Sequence, residues 1–180
     1  MLSKAHYIIV LLLIFCSCGE QKQFSLISPN RSGITFKNQL TPNDSLNAVN
    51  FIYYYNGGGV GIADFNMDSL PDIFLTGNQV SSEIYINLGD MKFDNITEQA
   101  GLQTQKWCHG VAVTDINTDG YPDIYIGVGG PEEGQSTENI LFINNGNNTF
   151  TNRAEEFGVN SSQLTTHSVF FDYDKDGDLD

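Results

Sequence analysis

The sequence is poor in positive charge and in cysteine. Its 180 residues contain 8 Lys+Arg against 22 Asp+Glu, a formal net charge of -14. So few cations cannot neutralise a phosphate backbone against so many carboxylates, which excludes nucleic acid as a partner. Two of the three cysteines lie within the first eighteen residues, so no disulfide framework is expected in the rest of the chain. A strongly acidic chain instead suits divalent cations or basic partners.

The sequence also has no hydrophobic run long enough to cross a bilayer with margin. Its apolar run at residues 7–15 follows Lys4 and has the length of a signal-peptide core. Ser17 is the small residue that a bacterial lipoprotein signal carries just before its lipid-accepting cysteine, Cys18. We therefore predict a lipoprotein signal peptide at residues 1–17, lipidation of Cys18, and anchoring at the bacterial outer membrane through that lipid alone. An ordinary secretory signal with incidental cysteines is the alternative.

The rest of the chain divides into a tether and one domain. Residues 18–32 are polar and contain Pro29, so we predict a tether between the lipid and the fold. Hydrophobic residues make up 40% of the chain, which is enough for a packed core, and the length suits one domain rather than two. We therefore assign residues 33–180 to a single repeat region.

Internal repetition is the strongest signal in this region. The pattern D-x-[DN]-x-D-[GS]-x-x-D occurs at residues 64–72, 115–123 and 172–180. Runs of β-branched and aromatic residues flank these segments and predict strands. The predicted first strands are residues 59–63, 110–114 and 168–171. A second hairpin follows in the first two units, so each unit offers about four strands in about fifty-five residues. We therefore predict an all-β fold, a partial β-propeller of about two to three blades.

The repeated loops have the carboxylate spacing of a calcium site. Side chains at the first, third and fifth positions of a tight turn converge, and carboxylates placed there repel one another unless a cation lies among them. A carboxylate at the ninth position closes this all-oxygen set, whose flexible geometry favours calcium over magnesium. An EF-hand is excluded because it needs flanking helices and a Glu at position 12, where the first two loops carry Leu75 and Ile126. Solvated acidic turns are the alternative.

These loops and their flanks resemble the FG-GAP/VCBS repeat, the blade unit of integrin-α-type β-propellers and of many bacterial surface proteins. Residues 33–36 and 53–60 are similar to the opening of exported Bacteroidetes-type lipoproteins that carry VCBS repeats and often an ASPIC/UnbV domain. Residues 93–102 and 150–159 are similar to the sequence motif that ends a blade in that group. The resemblance implies that each loop binds Ca²⁺ through four side chains. These side chains are Asp64, Asn66, Asp68 and Asp72 in the first loop, Asp115, Asn117, Asp119 and Asp123 in the second, and Asp172, Asp174, Asp176 and Asp180 in the third.

The chain departs from that family in two respects. Ser69 stands in the first loop where the other two loops have glycine. Propellers of the family close with about seven blades, whereas this sequence carries two full units and the start of a third. It stops at Asp180, where the strand after the third loop should begin, so we expect an incomplete propeller.

Three functions are open to such a chain. The first hypothesis is a calcium-stabilised surface module that binds a glycan or a protein, with structural metal and no catalytic residues. The second is the propeller scaffold of a polysaccharide-acting enzyme, and the third is an inactive fragment of a larger propeller protein. Cys108 and His109 are the nucleophile-like pair, but neighbours on a strand point to opposite faces. We therefore predict that Trp107 packs in the blade and that Cys108 is a small buried hydrophobe.

Overall fold

The computed structural model describes residues 23–131 and 136–180. The predicted signal peptide and Cys18 lie outside these residues. In chain order the elements are α1 (Pro29–Ser32), β1 (Val60–Ala63), β2 (Asp72–Leu75), β3 (Glu83–Asn87), β4 (Phe93–Asn95), α2 (Thr97–Ala100), β5 (Cys108–Thr114), β6 (Asp123–Val128), β7 (Ile140–Asn144) and β8 (Phe150–Asn152). Among the described residues, no helix has the length and apolar character needed to cross a bilayer.

The strands form two antiparallel sheets of four strands each, β1-β2-β3-β4 and β5-β6-β7-β8. Each sheet is a meander, because every strand pairs with its neighbours in the sequence. The first hairpins of the two sheets have the same register, with Ala63 opposite Asp72 and Thr114 opposite Asp123. The predicted all-β fold, with two units of four strands, is confirmed, and each sheet has the form of one propeller blade.

The main core lies between the two sheets. Phe74 and Ile84 of the first sheet pack in one cluster with Ile124, Ile126 and Phe142 of the second. Strands β6 and β7 are buried along their whole length, which explains why their sequences are continuous apolar runs rather than alternating ones.

The first strands of the two sheets approach each other too closely for a side chain on β1. A Cβ atom built at Gly61 would lie 2.8 Å from Cγ2 of Val113 on β5. The glycine that precedes the first loop is therefore required by the packing of one sheet on the other, and not by its backbone dihedral angles.

The segment before β1 packs on the outer face of the first sheet. Tyr85 on β3 is fully buried, and its hydroxyl oxygen accepts the N–H groups of Thr35 (3.2 Å) and Phe36 (3.0 Å). The same hydroxyl donates to Glu83. Residues that follow the predicted tether therefore contribute to the packing of the first blade.

The third unit differs from the prediction in one element. Residues 168–171, predicted as a strand, do not form one. Their sheet-like pairing is confined to Phe171, which exchanges two backbone hydrogen bonds with Asp180 (3.4 and 3.1 Å). A strand needs a partner along its length, and one closing pair does not supply it. Phe170 packs instead against the ring of Tyr125 on β6, with 5.2 Å between ring centroids.

Candidate metal centre

The acidic loops lie at equivalent places in the two sheets. Residues 64–71 connect β1 to β2, and residues 115–122 connect β5 to β6. Strands thus flank both loops, as the sequence predicts and as an EF-hand would not allow. Phe171 and Asp180 bracket the third loop with the backbone pair that corresponds to Ala63 and Asp72 in the first.

The first aspartate of each loop organises the turn by accepting backbone N–H groups. In the second loop, Asp115 accepts from Asp119 (3.1 Å) through one carboxylate oxygen and from Gly120 (2.8 Å) through the other. Asp64 makes the same two bonds in the first loop, to Asp68 (3.0 Å) and to Ser69 (2.7 Å). These carboxylates therefore face the inside of the turn.

The third and fifth positions distinguish the first two loops from the third. In the second loop, Asn117 donates its side-chain amide to Oδ2 of Asp119 (2.8 Å), and Asn66 and Asp68 form the same pair in the first loop (2.9 Å). The amide dipole thereby compensates part of the carboxylate charge. The third loop has Asp174 in place of asparagine, so this compensation is lost there.

Three carboxylates converge in the third loop. Asp172, Asp174 and Asp176 each have an oxygen within 4.8 Å of the others, and all three residues are exposed. The backbone N–H of Asp178 donates to Asp176 (3.2 Å) and lowers the pKa of that carboxyl. Ionised carboxylates at such separations repel one another, and a divalent cation among them relieves that repulsion.

The ninth aspartate of the first loop is a buried structural group. Asp72 is fully buried, and its Oδ2 accepts the N–H of Phe65 (2.9 Å) in the loop. Its Oδ1 accepts the N–H of Asn87 (2.8 Å) at the end of β3. Burial raises the pKa of Asp72, and the two amide donors oppose that shift. One side chain therefore holds the loop, β2 and β3 together.

The ninth aspartate of the second loop repeats this arrangement. Asp123 accepts the N–H groups of Ile116 (2.9 Å) and Asn144 (2.8 Å), and burial raises its pKa as well. In the third loop, Asp180 accepts the N–H of Tyr173 (2.8 Å) but remains exposed. A carboxylate oxygen has a second lone pair, so these bonds leave each ninth aspartate able to ligate a cation. Its assignment as a ligand stays a prediction.

Left-handed backbone at two positions gives all three loops the same path. At the fourth position, φ is 62° for Met67, 57° for Thr118 and 65° for Lys175. At the sixth position, φ is 71° for Ser69, 92° for Gly120 and 98° for Gly177. Glycine adopts such angles at little cost, whereas a residue with a Cβ is strained there. This is the physical reason for glycine at the sixth position, and Ser69 keeps the same path with strain.

Sequence reasoning missed two asparagines that complete the loops. Asn87 donates its side-chain amide to the carbonyl of Pro71 (2.9 Å). Asn144 donates to the carbonyl of Pro122 (3.2 Å) and also reaches that of Phe65 in the first loop (2.9 Å), which ties the second sheet to the first loop. The sequence contains a pattern that could have identified them, because an asparagine ends the third strand of each unit.

The nucleophile-like pair lies within the packed structure. Cys108 is fully buried, and burial raises the pKa of its thiol. The ring nitrogens of His109 each lie 3.3 Å from a backbone carbonyl oxygen, that of Gly57 and that of Gly129. Trp107 is buried against Phe51 and Tyr54. The predicted burial of Cys108 is confirmed, and Trp107 is buried as well, although its aromatic contacts lie in the segment before β1 rather than within a blade.

Comparison with known protein families agrees with this geometry. Residues 64–126, which run from the first acidic loop into β6 and include the second loop, match the FG-GAP-like repeat family. No curated protein matches the chain. The match covers both acidic loops between β1 and β6, and it shows that this part of the chain is similar to FG-GAP-like repeats.

Proposed function

We propose that the FG-GAP-like repeats of this protein form a calcium-stabilised binding module, which a lipid on Cys18 holds at the bacterial outer membrane. The ligand of the module is a glycan or a protein. The observation that carries the calcium part of the proposal is the shared geometry of the three loops. Each turns its first aspartate inward, and the third brings three carboxylates within 4.8 Å of one another.

The donor set of the loops fits a hard cation. Every candidate ligand is a carboxylate or amide oxygen, and no soft sulfur or imidazole donor belongs to the loops. The four candidate ligands of the third loop are all carboxylates, while those of each of the first two loops are three carboxylates and one amide oxygen. Bound calcium would offset part of the net charge of -14, and it would link the folding of the turns to the metal. The metal in this proposal is structural, because the loop itself supplies the surrounding oxygens.

Binding, rather than catalysis, is supported by the surroundings of the reactive side chains. The Cys108 thiol is buried and its pKa is raised, which disfavours the nucleophilic thiolate. His109 lies between two backbone carbonyl oxygens rather than beside a nucleophile. These contacts give both residues a role in packing the first two blades.

Thermal unfolding by circular dichroism tests the calcium proposal. The full chain is melted in EDTA and in a calcium series, beside a variant with Asp119→Ala and Asp176→Ala. We expect calcium to raise the melting temperature, because a cation at 100 times its Kd stabilises the native state by about 2.7 kcal/mol per site. The double variant should lose most of that rise.

A matched control separates ligation from a general loss of negative charge. Asp44 and Asp94 are exposed and lie outside the acidic loops, so Asp44→Ala with Asp94→Ala should keep the full calcium response. If melting of the wild-type chain ignores calcium, or if both double variants respond alike, the loops are ordinary acidic turns and the calcium proposal is wrong.

The lipid anchor has an independent test. Cells expressing the wild-type chain or Cys18→Ser are labelled with a radioactive fatty acid and fractionated. We expect label and outer-membrane recovery for the wild type, and neither for Cys18→Ser, since the thiol is the acylation site. Equal labelling of the two proteins would contradict the anchor and leave the calcium proposal unaffected.

A further inference from the structure

We infer that a groove floored by Trp107 binds a neutral carbohydrate. The groove has a volume of about 490 Å³, and its lining includes Gln39, Thr41, Asn43, Gln79 and Trp107 together with three apolar residues. We call it the Trp107 groove. It lies between the segment that precedes β1 and the turn between β2 and β3, away from the acidic loops. This inference rests on the proposed binding function and names its ligand class and its site.

The lining of the groove selects against charged ligands. Among the described residues, none of the side chains that line the groove carries a charge, although the chain as a whole has a net charge of -14. An anionic ligand would meet the repulsion of the surrounding carboxylates without a cation to pair with. A cationic ligand would find no carboxylate among the described residues that line the groove. The chemistry of the lining therefore suits an uncharged polar molecule.

Hydrogen-bond donors and acceptors without a partner among the described residues lie at the rim of the groove. Among the described residues, Oε1 of Gln39 and Oγ1 of Thr41 have no hydrogen-bond partner. The side-chain oxygen of Asn43 caps its own turn and leaves the amide Nδ2 without one. The groove thus offers an acceptor, a hydroxyl and a donor. Sugar hydroxyls both donate and accept, and they match such a mixture better than a purely apolar ligand does.

The floor of the groove contains an unsatisfied buried donor. Trp107 is 3% exposed, and its indole N–H has no acceptor among the described residues. Buried indole N–H groups usually have a partner, because leaving one unpaired costs free energy. A ligand hydroxyl, or a water that the ligand holds, would satisfy this donor.

The walls of the groove are held in place before any ligand arrives. Gln79 accepts the N–H of Thr41 (2.5 Å) and binds the two walls together. Asn38 and Asn78 exchange two hydrogen bonds (2.7 and 3.0 Å), and Asn78 also donates to the carbonyl of Cys108 (2.8 Å) at the start of the second sheet. A preformed site loses less conformational entropy on binding, which favours recognition of a flexible saccharide.

Fluorescence titration tests this inference directly, because Trp107 is the only tryptophan in the chain. The full chain, in a detergent that carries no sugar, is titrated with neutral di- to hexasaccharides of glucose, mannose, galactose, xylose and N-acetylglucosamine. Oligoglucuronates serve as the charged comparison. We expect a saturable change in tryptophan emission with at least one neutral series and none with the oligoglucuronates. Calorimetry on the same solutions gives the Kd without relying on the fluorophore.

Variants then place the site. Gln39→Ala with Asn43→Ala removes two rim groups and should weaken binding about tenfold or more. Gln103→Ala is the matched control, since Gln103 is equally exposed but lies outside the groove, and it should leave the Kd unchanged. Melting curves of both variants confirm that each is folded.

Each other result overturns the inference. The Trp107 groove is excluded if no neutral saccharide binds, if the oligoglucuronates bind better, or if the rim variant binds as tightly as wild type. Tight binding by the rim variant would still leave a glycan-binding module with a different site. A calcium-dependent melt without any saccharide binding would leave the calcium proposal standing alone. These outcomes therefore distinguish a wrong assignment of the binding site from a wrong proposal for the function of the protein.

Discussion

The second and third acidic loops share a sequence pattern and a backbone path, but their surroundings differ. Both turn through left-handed residues at the fourth and sixth positions, and both close with the ninth aspartate on the loop backbone. Asp123 is buried and also binds β7 through Asn144, whereas Asp180 is exposed and binds only its own loop. The turn is therefore a local structure, and the later strands of a blade give its last aspartate a second, structural role.

The second and third loops also differ in how the repulsion between their carboxylates is reduced. In the second loop, the amide of Asn117 donates to Asp119 and lessens the local negative charge. In the third loop, three aspartates converge without an amide. We expect the second loop to hold its shape without metal better than the third, and the third to gain more from calcium.

The largest expected effect tests the structural role of the ninth aspartate. Asp123→Ala should destabilise the protein by about 3 kcal/mol in EDTA, because the buried N–H groups of Ile116 and Asn144 lose their acceptor. Asp180→Ala, at the equivalent exposed position, should cost less than about 0.5 kcal/mol under the same conditions. Urea unfolding measures both. Equal losses would mean that burial by the later strands adds nothing to this position.

The next effect tests the number of charged ligands. Asn117→Asp gives the second loop the ligand set of the third, and it should tighten calcium binding about tenfold, since affinity rises with ligand charge. The same change should lower stability in EDTA, because it replaces the donor to Asp119 with a like charge. Isothermal titration calorimetry and urea unfolding measure the two effects. Asn147→Asp adds the same charge in an exposed hairpin outside the loops and should change neither; if it does, net charge rather than ligation is responsible.

A smaller effect concerns the sixth position. Ser69→Gly should stabilise the first loop by about 0.5–1 kcal/mol, because a left-handed φ strains serine and not glycine. The reciprocal change, Gly120→Ser, should destabilise the second loop by about 1 kcal/mol. Unfolding midpoints in EDTA measure the pair. Changes of the same sign in both variants would argue against backbone strain as the cause.

The smallest effect is a pH dependence in the absence of calcium. Burial raises the pKa of Asp72 and Asp123 in the folded protein, so the native state holds protons there more tightly than the unfolded chain does. The stability from this difference is fully present below the unfolded aspartate pKa of about 3.9 and is lost as pH rises through the folded pKa. Unfolding free energies in EDTA should therefore contain a term that decreases above about pH 4. Asp123→Asn should flatten that decrease, and an unchanged slope would contradict the assignment.

Much of the fold follows from the sequence because its signals are local and repeated. Short β-branched runs separated by Asn-Gly and Gly-Asp turns predict the strands of both sheets, and the loop pattern predicts turns with inward carboxylates. The predicted strand at residues 168–171 is wrong because strand propensity needs a paired neighbour to become a ladder. Helix α2 was missed because four residues carry too little periodicity to be recognised.

The carboxylate pattern of the acidic loops can likewise be recognised in the sequence, whereas the Trp107 groove cannot. Its lining residues are separated by up to about ninety positions in the chain and have no motif in common. Neutral amide side chains and a single tryptophan do not by themselves predict a binding site. They become a site only because the segment before β1 packs beside the turn between β2 and β3.

The sequence by itself determined the presence of repeated acidic loops, their path and the inward direction of their first aspartates. These features depend on residues within nine positions of one another, where turn geometry and side-chain hydrogen bonds are decided locally. Only the tertiary structure decided which aspartates are buried, which asparagines hold the loops in place, and where the Trp107 groove opens. Those features depend on contacts between segments far apart in the chain, and such contacts exist only after the two sheets have packed together.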